Sequence, residues 1–243
     1  MLRPMRLVTL LIAGILLGAP ARAATTVIYL NRCAAGCTIT PGFDDSRTDT
    51  SSIVSQTQVL SAFGHGDTSF ASVLACVQSL FAPFDADVTD ADPGSADHFE
   101  IDIAGTPQQL GLQAGVLDIS PLTCSVVSNG MAFAFANTIG DDPQQICVAA
   151  AQTVGNLVGL EFVTPSCDVM GFSLTGCQPK GFLDEASQCG DTTPHACICG
   201  GTTQNSYQRL LATLPEPDGA AAGVAAVLGL AALVRRSAPG RGR

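Results

Sequence analysis

Apolar and polar residues follow two different periods along this 243-residue chain. Between residues 69 and 81, apolar side chains recur at three- and four-residue spacing, which predicts an amphipathic helix. Runs that are rich in β-branched residues or that alternate in polarity predict strands at 26–30, 86–89, 98–103 and 131–136. Residues 33–49 are rich in turn formers. The chain has no internal repeat, and the predicted fold class is mixed α/β, of the α+β type.

A second helix is predicted after residue 141. Asp142 suits its N-cap, Pro143 its first turn, and Gln145 the third helical position of a capping box. Gly159 provides the stop, because the residue after a helix often needs a positive φ. One buried stripe is expected on this helix, formed by Ile146, Ala150, Val154 and Leu157. A last helix is expected at 206–214.

The first 23 residues have the pattern of a secretory signal peptide. Two arginines precede an apolar run over residues 7–17, and the segment ends with the small residues of Pro20-Ala21-Arg22-Ala23. This is the order of a charged region, an apolar region and a cleavage site. We therefore expect export, with residues 1–23 removed and the mature chain beginning at Ala24.

The last segment, residues 215–243, predicts a membrane or sorting tail. It contains Pro-Glu-Pro at 215–217, an apolar stretch over 219–234, and the arginines Arg235, Arg236, Arg241 and Arg243. A helix over the apolar stretch would be about 24 Å long, short of the roughly 30 Å hydrocarbon core of a bilayer. The tail therefore suits either a thin bilayer or a sorting signal that is later removed, and a buried core helix is the third alternative.

This tail resembles the PEP-type C-terminal sorting signal of bacterial surface proteins. The resemblance covers about thirty residues and consists of the Pro-Glu-Pro motif, the apolar helix and the arginine cluster. It implies that the domain between the two ends, residues 24–214, lies outside the cytoplasm at the cell envelope or cell surface.

The domain between the ends is strongly acidic. It holds four Lys and Arg residues against nineteen Asp and Glu, a formal charge of −15. Nucleic acid is excluded as a partner, because phosphate contacts need clustered positive charge.

The same domain holds all ten cysteines, for which export predicts a disulfide framework of up to five bridges. They are Cys33, Cys37, Cys76, Cys124, Cys147, Cys167, Cys177, Cys189, Cys197 and Cys199. The spacing does not choose among the connectivities, and a local Cys33–Cys37 pair is a guess. Cys147 is expected to tie the second helix to a neighbouring segment.

Residues 151–162 and 168–170 resemble the zinc-binding helix and Met-turn of the metzincin metallopeptidases, especially their matrixin-like branch. The family pattern is His-Glu-x-x-His-x-x-Gly-x-x-His with a methionine some eight residues beyond. Gly159 falls on the turn glycine and Met170 on the Met-turn. The resemblance implies a metzincin-like mixed twisted sheet over residues 24–214, with a zinc-helix equivalent, a Met-turn and a C-terminal helix.

Four positions depart from the family pattern. Gln152, Asn156 and Phe162 stand where the three zinc-binding histidines would be, and Thr153 stands where the catalytic glutamate would be. Amide oxygens have low affinity for zinc and a phenyl ring has none, while threonine cannot act as the general base. The sequence therefore favours a catalytically inactive relative, with no cofactor. It either binds a peptide or protein in the ancestral cleft or serves only as a stable, disulfide-stapled surface domain.

Two alternatives to the inactive relative remain. One is an active secreted peptidase of the metzincin type that holds zinc through atypical ligands. The other is that an ordinary helix matches a short pattern by chance.

Other chemistry-bearing residues favour structural roles. His65, His98 and His195 lack the two-histidine helical spacing, and Cys197 and Cys199 beside His195 are expected to be disulfide cysteines. The acidic run of Asp85, Asp87, Asp90, Asp92 and Asp97 could supply oxygen ligands to calcium, although a solvated loop explains it better. Ser125 and Ser128 lack a nucleophile-elbow pattern.

Overall fold

A computed structural model describes residues 25–214, and the expected signal peptide and C-terminal tail lie outside these residues. In chain order, the elements are β1 (Thr26–Asn31), β2 (Cys37–Pro41), β3 (Thr50–Ser51), β4 (Gln58–Leu60), α1 (Gly66–Phe81), β5 (Ala86–Thr89), β6 (Phe99–Ile103), β7 (Asp118–Ile119), β8 (Met131–Ala134), α2 (Ala136–Ile139), α3 (Pro143–Leu157), β9 (Ser187–Gln188), β10 (Thr203–Gln204) and α4 (Ser206–Thr213). Within residues 25–214, no helix combines the length and the apolar character that crossing a membrane requires.

The centre of the fold is a five-stranded sheet in the order β5-β1-β6-β8-β7. Four strands run parallel, and the edge strand β7 is antiparallel to β8. Parallel neighbours need crossover connections, and helix α1 provides the one between β1 and β5. The predicted α+β fold class is confirmed.

One face of the sheet is covered by α1 and α3, which pack on each other and on the strands. Strand β8 contributes the small residues Ala132 and Ala134 to this core. The opposite face of the sheet carries a second apolar core, which includes Met131 and Phe133 from the same strand. Successive strand residues point to opposite faces, so β8 serves both cores.

The second face is covered by the segment between β1 and α1. Strands β2, β3 and β4 form a small sheet there, in the order β3-β2-β4. Residues 33–49 were predicted to be turns, but they contain strand β2 and a short 3-10 turn at Ser46–Thr48. The prediction was wrong for β2, which is five residues long and bounded by a disulfide cysteine and a proline.

Helix α3 begins at the predicted N-cap Asp142, but the predicted capping box does not form, because the Asp142 N–H donates to the Gly140 carbonyl. The helix is also buried differently from the prediction. The Asp142 carboxylate accepts hydrogen bonds from the backbone N–H groups of Gln144 and Gln145, and Pro143 is the first helical residue. The Gln145 side chain donates to the Asp142 carboxylate at 2.6 Å. Every residue from 146 to 157 is buried, rather than one stripe, because the sheet, α1 and the chain beyond residue 160 surround the helix.

The ten cysteines form five disulfides, which confirms the expected framework. The pairs are Cys33–Cys37, Cys76–Cys147, Cys124–Cys199, Cys167–Cys177 and Cys189–Cys197. The Cys76–Cys147 bridge joins α1 to α3, as expected for a bridge that ties the second helix to a neighbour. The local Cys33–Cys37 pair, which the spacing alone did not select, is also present.

Candidate functional site

The candidate site lies where α3 ends and the chain reverses. Gly159 has φ +87°, and a side chain there would press on the Thr123 carbonyl oxygen, so glycine suits this position. The Arg209 guanidinium of α4 donates to the carbonyl oxygens of Val158 and Cys124, at 2.6 and 3.1 Å. The end of α3 is thus held from a second helix that is remote in sequence.

A tight turn at residues 168–171, which we call the Met170 turn, packs against α3. The Asp168 carboxylate accepts a hydrogen bond from the Met170 backbone N–H at 2.8 Å, and the Val163 N–H donates to the Met170 carbonyl at 2.9 Å. Met170 is fully buried. A side chain at Gly155 of α3 would collide with the Met170 thioether, so the glycine permits this close approach.

Gln152 connects α3 to the Met170 turn. Its side-chain amide donates to the carbonyl oxygens of Val169 and Gly171, at 2.8 and 2.7 Å, on either side of Met170. The residue is fully buried. Its amide oxygen has no hydrogen-bond partner within residues 25–214. Because two carbonyls require two N–H donors, these contacts fix the orientation of the amide.

The other three positions singled out in the sequence have internal partners too. The Asn156 amide donates to the Leu160 carbonyl at 2.8 Å, and the Thr153 hydroxyl donates to the Ala150 carbonyl at 2.8 Å. The Phe162 ring packs edge-on against Phe172, with 5.2 Å between ring centroids.

These residues do not fit a catalytic zinc ion. A zinc site of this kind needs three protein ligands around an open position. The side-chain amides of Gln152 and Asn156 direct their N–H groups at backbone carbonyls. The Thr153 hydroxyl is hydrogen-bonded within α3, and the Phe162 ring has no atom that could bind a metal ion. Gln152 holds the Met170 turn, and the other three side chains are engaged with Ala150, Leu160 and Phe172.

The Met170 turn is also held by Lys180. Its ammonium group donates to the carbonyl oxygens of Asp168 and Gly171, at 3.2 and 3.0 Å. Burial lowers the pKa of Lys180, and the nearby Asp168 charge opposes that shift. Burial raises the pKa of Asp168, against the hydrogen bond from the Met170 N–H. Gly171 therefore accepts from both Gln152 and Lys180.

An apolar cleft of about 550 Å³ opens beside the Met170 turn. One wall is residues 115–118, which lead into edge strand β7, and the other is residues 172–175; Phe162 lies between them. Phe172 is half exposed, so an aromatic surface is available at the mouth. Asp118 is the one acidic side chain along this lining, and burial raises its pKa to about 7.

The remaining sequence candidates are dispersed. Cys197 and Cys199 are disulfide-bonded, and the half-exposed His195 lies 3.9 Å from a Glu161 oxygen. Ser128 and His98 border one shallow cavity, but no hydrogen bond joins them within the described chain. Of the acidic run, Asp97 pairs with Arg47 at 3.0 Å.

A group of acidic residues on the second face of the sheet was not predicted, although one member, Asp92, belongs to the acidic run considered for calcium. Glu100 and Asp102 lie on β6 and are almost fully buried, and they approach Asp49, Asp92 and Tyr29. The available signal was the alternation of charged and apolar residues over 98–103, on a predicted strand.

No protein-family model matches the chain, and no curated protein shows significant similarity to it.

Proposed function

We propose that this protein is an exported, envelope-associated relative of the metzincin metallopeptidases that has lost catalysis and acts as a binding module. The observation that carries the proposal is Gln152. A residue at the position of the first family histidine contacts both carbonyls beside Met170, the residue at the Met-turn position. A chance match in sequence would not require these two segments to touch.

Loss of catalysis is supported by what occupies the remaining positions. The side chains of Asn156 and Thr153 donate hydrogen bonds to nearby backbone carbonyls, and the Phe162 ring packs on Phe172. Five disulfides suit an oxidising compartment, which supports export. Anchoring or sorting by residues 215–243 remains part of the proposal.

The proposed ligand is an extended, apolar peptide segment of another protein. Strand β7 is at the edge of the sheet, so its outer backbone groups have no strand partner among the described residues. An extended segment can add to such an edge through main-chain hydrogen bonds, with alternate side chains entering pockets. In this proposal, the apolar cleft between β7 and residues 172–175 receives one of those side chains.

Peptide binding tests this function directly. Fluorescent nonapeptides with leucine or phenylalanine at alternate positions are expected to bind the purified protein uncleaved, and matched serine peptides are not. Phe172→Asp should weaken binding at least tenfold, because it puts a charge into the aromatic mouth of the cleft. Phe43→Asp is the control, since Phe43 is exposed and lies outside the cleft lining. Equal binding of leucine and serine peptides, or unchanged binding by Phe172→Asp, would contradict the proposal.

Zinc content separates the proposal from the active-peptidase alternative. We expect no stoichiometric zinc in the purified protein, measured by elemental mass spectrometry, and one zinc per chain in the combined variant Gln152→His, Thr153→Glu, Asn156→His, Phe162→His. The variant restores the family ligands on a helix whose geometry would place them together. Circular dichroism checks that it folds.

Each outcome of the zinc measurement decides one point. If the combined variant folds but binds no zinc, the proposed relationship to the metzincins is contradicted. Stoichiometric zinc in the unmodified protein, with peptide cleavage that a chelator stops, would instead establish the active peptidase.

A further inference from the structure

A polar cavity of about 400 Å³ lies on the second face of the sheet, away from the apolar cleft. Its floor comes from two neighbouring parallel strands, in which Tyr29 pairs in register with Glu100 and Asn31 with Asp102. Side chains two apart on a strand share a face, so these four residues lie together, and Tyr29, Asn31 and Glu100 line the cavity. The Cys33–Cys37 disulfide and residues of β2 form part of the wall.

Two further carboxylates border the cavity, from separate loops. Asp49 follows the 3-10 turn, and Asp92 follows β5. Burial and the nearby Glu100 raise the pKa of Tyr29 to about 12, and the same two causes raise the pKa of Asp49. The cavity therefore concentrates negative charge in a domain that is already acidic.

The negative charge has little internal compensation. Arg47 is the basic residue on the lining, but its guanidinium is held by Asp45 at 2.8 Å and by Asp97 at 3.0 Å. His98 lies behind Glu100, with 3.8 Å between its Nε2 atom and the Glu100 Oε2 atom. Burial lowers the pKa of His98, but Glu100, the Ala96 carbonyl and the Asp92 charge together outweigh that effect, and the net shift is upward.

One buried carboxylate at the floor, that of Glu100, is only half paired. Glu100 is 3% exposed; its Oε1 accepts a hydrogen bond from the Asn31 amide at 2.7 Å, whereas no donor within residues 25–214 bonds its Oε2. The His98 Nε2 and the Asp102 Oδ2 also have no hydrogen-bond partner in that part of the chain, but these two residues lie outside the cavity lining. Buried polar groups are normally paired, so the free oxygen of Glu100, which does line the cavity, points to a ligand with hydrogen-bond donors.

The spacing of the carboxylates argues against a bare metal ion. Ligand atoms around one calcium ion lie within about 5 Å of one another, because each is 2.3–2.6 Å from the ion. Among the described residues, the only three-residue groups of His, Cys, Asp or Glu this compact contain disulfide sulfurs, and none unites Asp49, Asp92 and Glu100. A cavity of this size with carboxylates around it instead fits a larger cation with several donors.

We propose that this cavity binds an organic cation, a guanidinium or primary ammonium group, with Glu100 as its principal partner. Guanidinium offers five N–H donors in a plane and pairs with carboxylates through two parallel hydrogen bonds. Asp49, Asp92 and the Tyr29 hydroxyl supply the surrounding acceptors. The site is independent of the cleft proposed above, since the two share no lining residue.

Calorimetric titration of the full-length protein tests this site. The probes are a blocked pentapeptide with one arginine among glycines, the same peptide with neutral citrulline, ethylguanidinium and calcium chloride. The arginine peptide is expected to bind at least tenfold more tightly than the citrulline peptide. Ethylguanidinium binding as tightly as the peptide would identify a small free cation, and tighter peptide binding would identify a protein side chain; both support the site.

Variants locate the binding. Glu100→Gln keeps an acceptor for Asn31 but removes the charge, and should weaken arginine-peptide binding at least tenfold. Asp92→Asn should weaken arginine-peptide binding severalfold. Because Asp92 is at an exposed loop position, this variant tests the site even if the Glu100 variant does not fold. Asp87→Asn is the control, because Asp87 is exposed on β5 and does not border the cavity. Equal affinity for arginine and citrulline, full binding by Asp92→Asn, or calcium binding that displaces the arginine peptide would overturn the proposal.

Discussion

Replacing Cys76 and Cys147 together by alanine is expected to lower the free energy of unfolding by about 4 kcal/mol. The bridge joins α1 to α3, the two helices that cover one face of the sheet, across a sequence separation of 71 residues. Without it, the unfolded chain regains the freedom of a long loop, and that gain increases with loop length. Urea unfolding followed by circular dichroism measures the loss.

A short-loop bridge provides the matched comparison. Cys189 and Cys197 are also joined, but their sequence separation is 8 residues, and the same relation predicts a loss of about 2.5 kcal/mol for the double alanine variant. Equal losses for the two pairs would show that local packing, rather than loop closure, determines what these bridges contribute.

The framework of the fold was predictable because its signals are local. Strands β1 and β5 appear as short β-branched runs, and α3 begins with an Asp-Pro cap that forms as expected. The burial of α3 on all sides was not predictable from an apolar stripe. It depends on the chain beyond Gly159, which folds back over a face of the helix that the periodicity alone leaves undefined.

The acidic cavity shows a second limit of sequence analysis. Glu100 and Asp102 alternate with apolar residues on β6, a pattern that normally indicates a solvated sheet face. Here that face is covered by the segment containing β2, which was predicted to be turns. Because residues 33–49 were predicted to be turns, the burial of Glu100 and Asp102, more than fifty positions away, was not predicted.

The site positions in α3 were predictable individually, but their contacts were not. The spacing from Gln152 to Gly159 and Met170 singled out these residues. Nothing local indicates that the Gln152 amide bonds carbonyls 17 and 19 positions further along the chain. Such bonds depend on the path of residues 160–168, which contain no helix or regular strand.

Gln152→Leu is expected to lower the free energy of unfolding by about 3 kcal/mol. Leucine has similar volume but no donor, so the buried Val169 carbonyl loses its Gln152 donor, while Gly171 keeps its bond from Lys180. Gln152→Glu should be more damaging at neutral pH, because a carboxylate would face two carbonyl oxygens inside the core.

The neighbouring Thr153→Val substitution is the control for Gln152→Leu. Thr153 is also fully buried on α3, but its hydroxyl bonds the carbonyl of Ala150 within the same helix. That carbonyl retains the helical hydrogen bond, so the expected loss is about 1 kcal/mol. Chemical unfolding of the three variants should rank them in the order Thr153→Val, Gln152→Leu, Gln152→Glu from least to most destabilised. A Gln152→Leu protein as stable as Thr153→Val would mean that the amide does not hold the Met170 turn, and the main support for the metallopeptidase relationship would be lost.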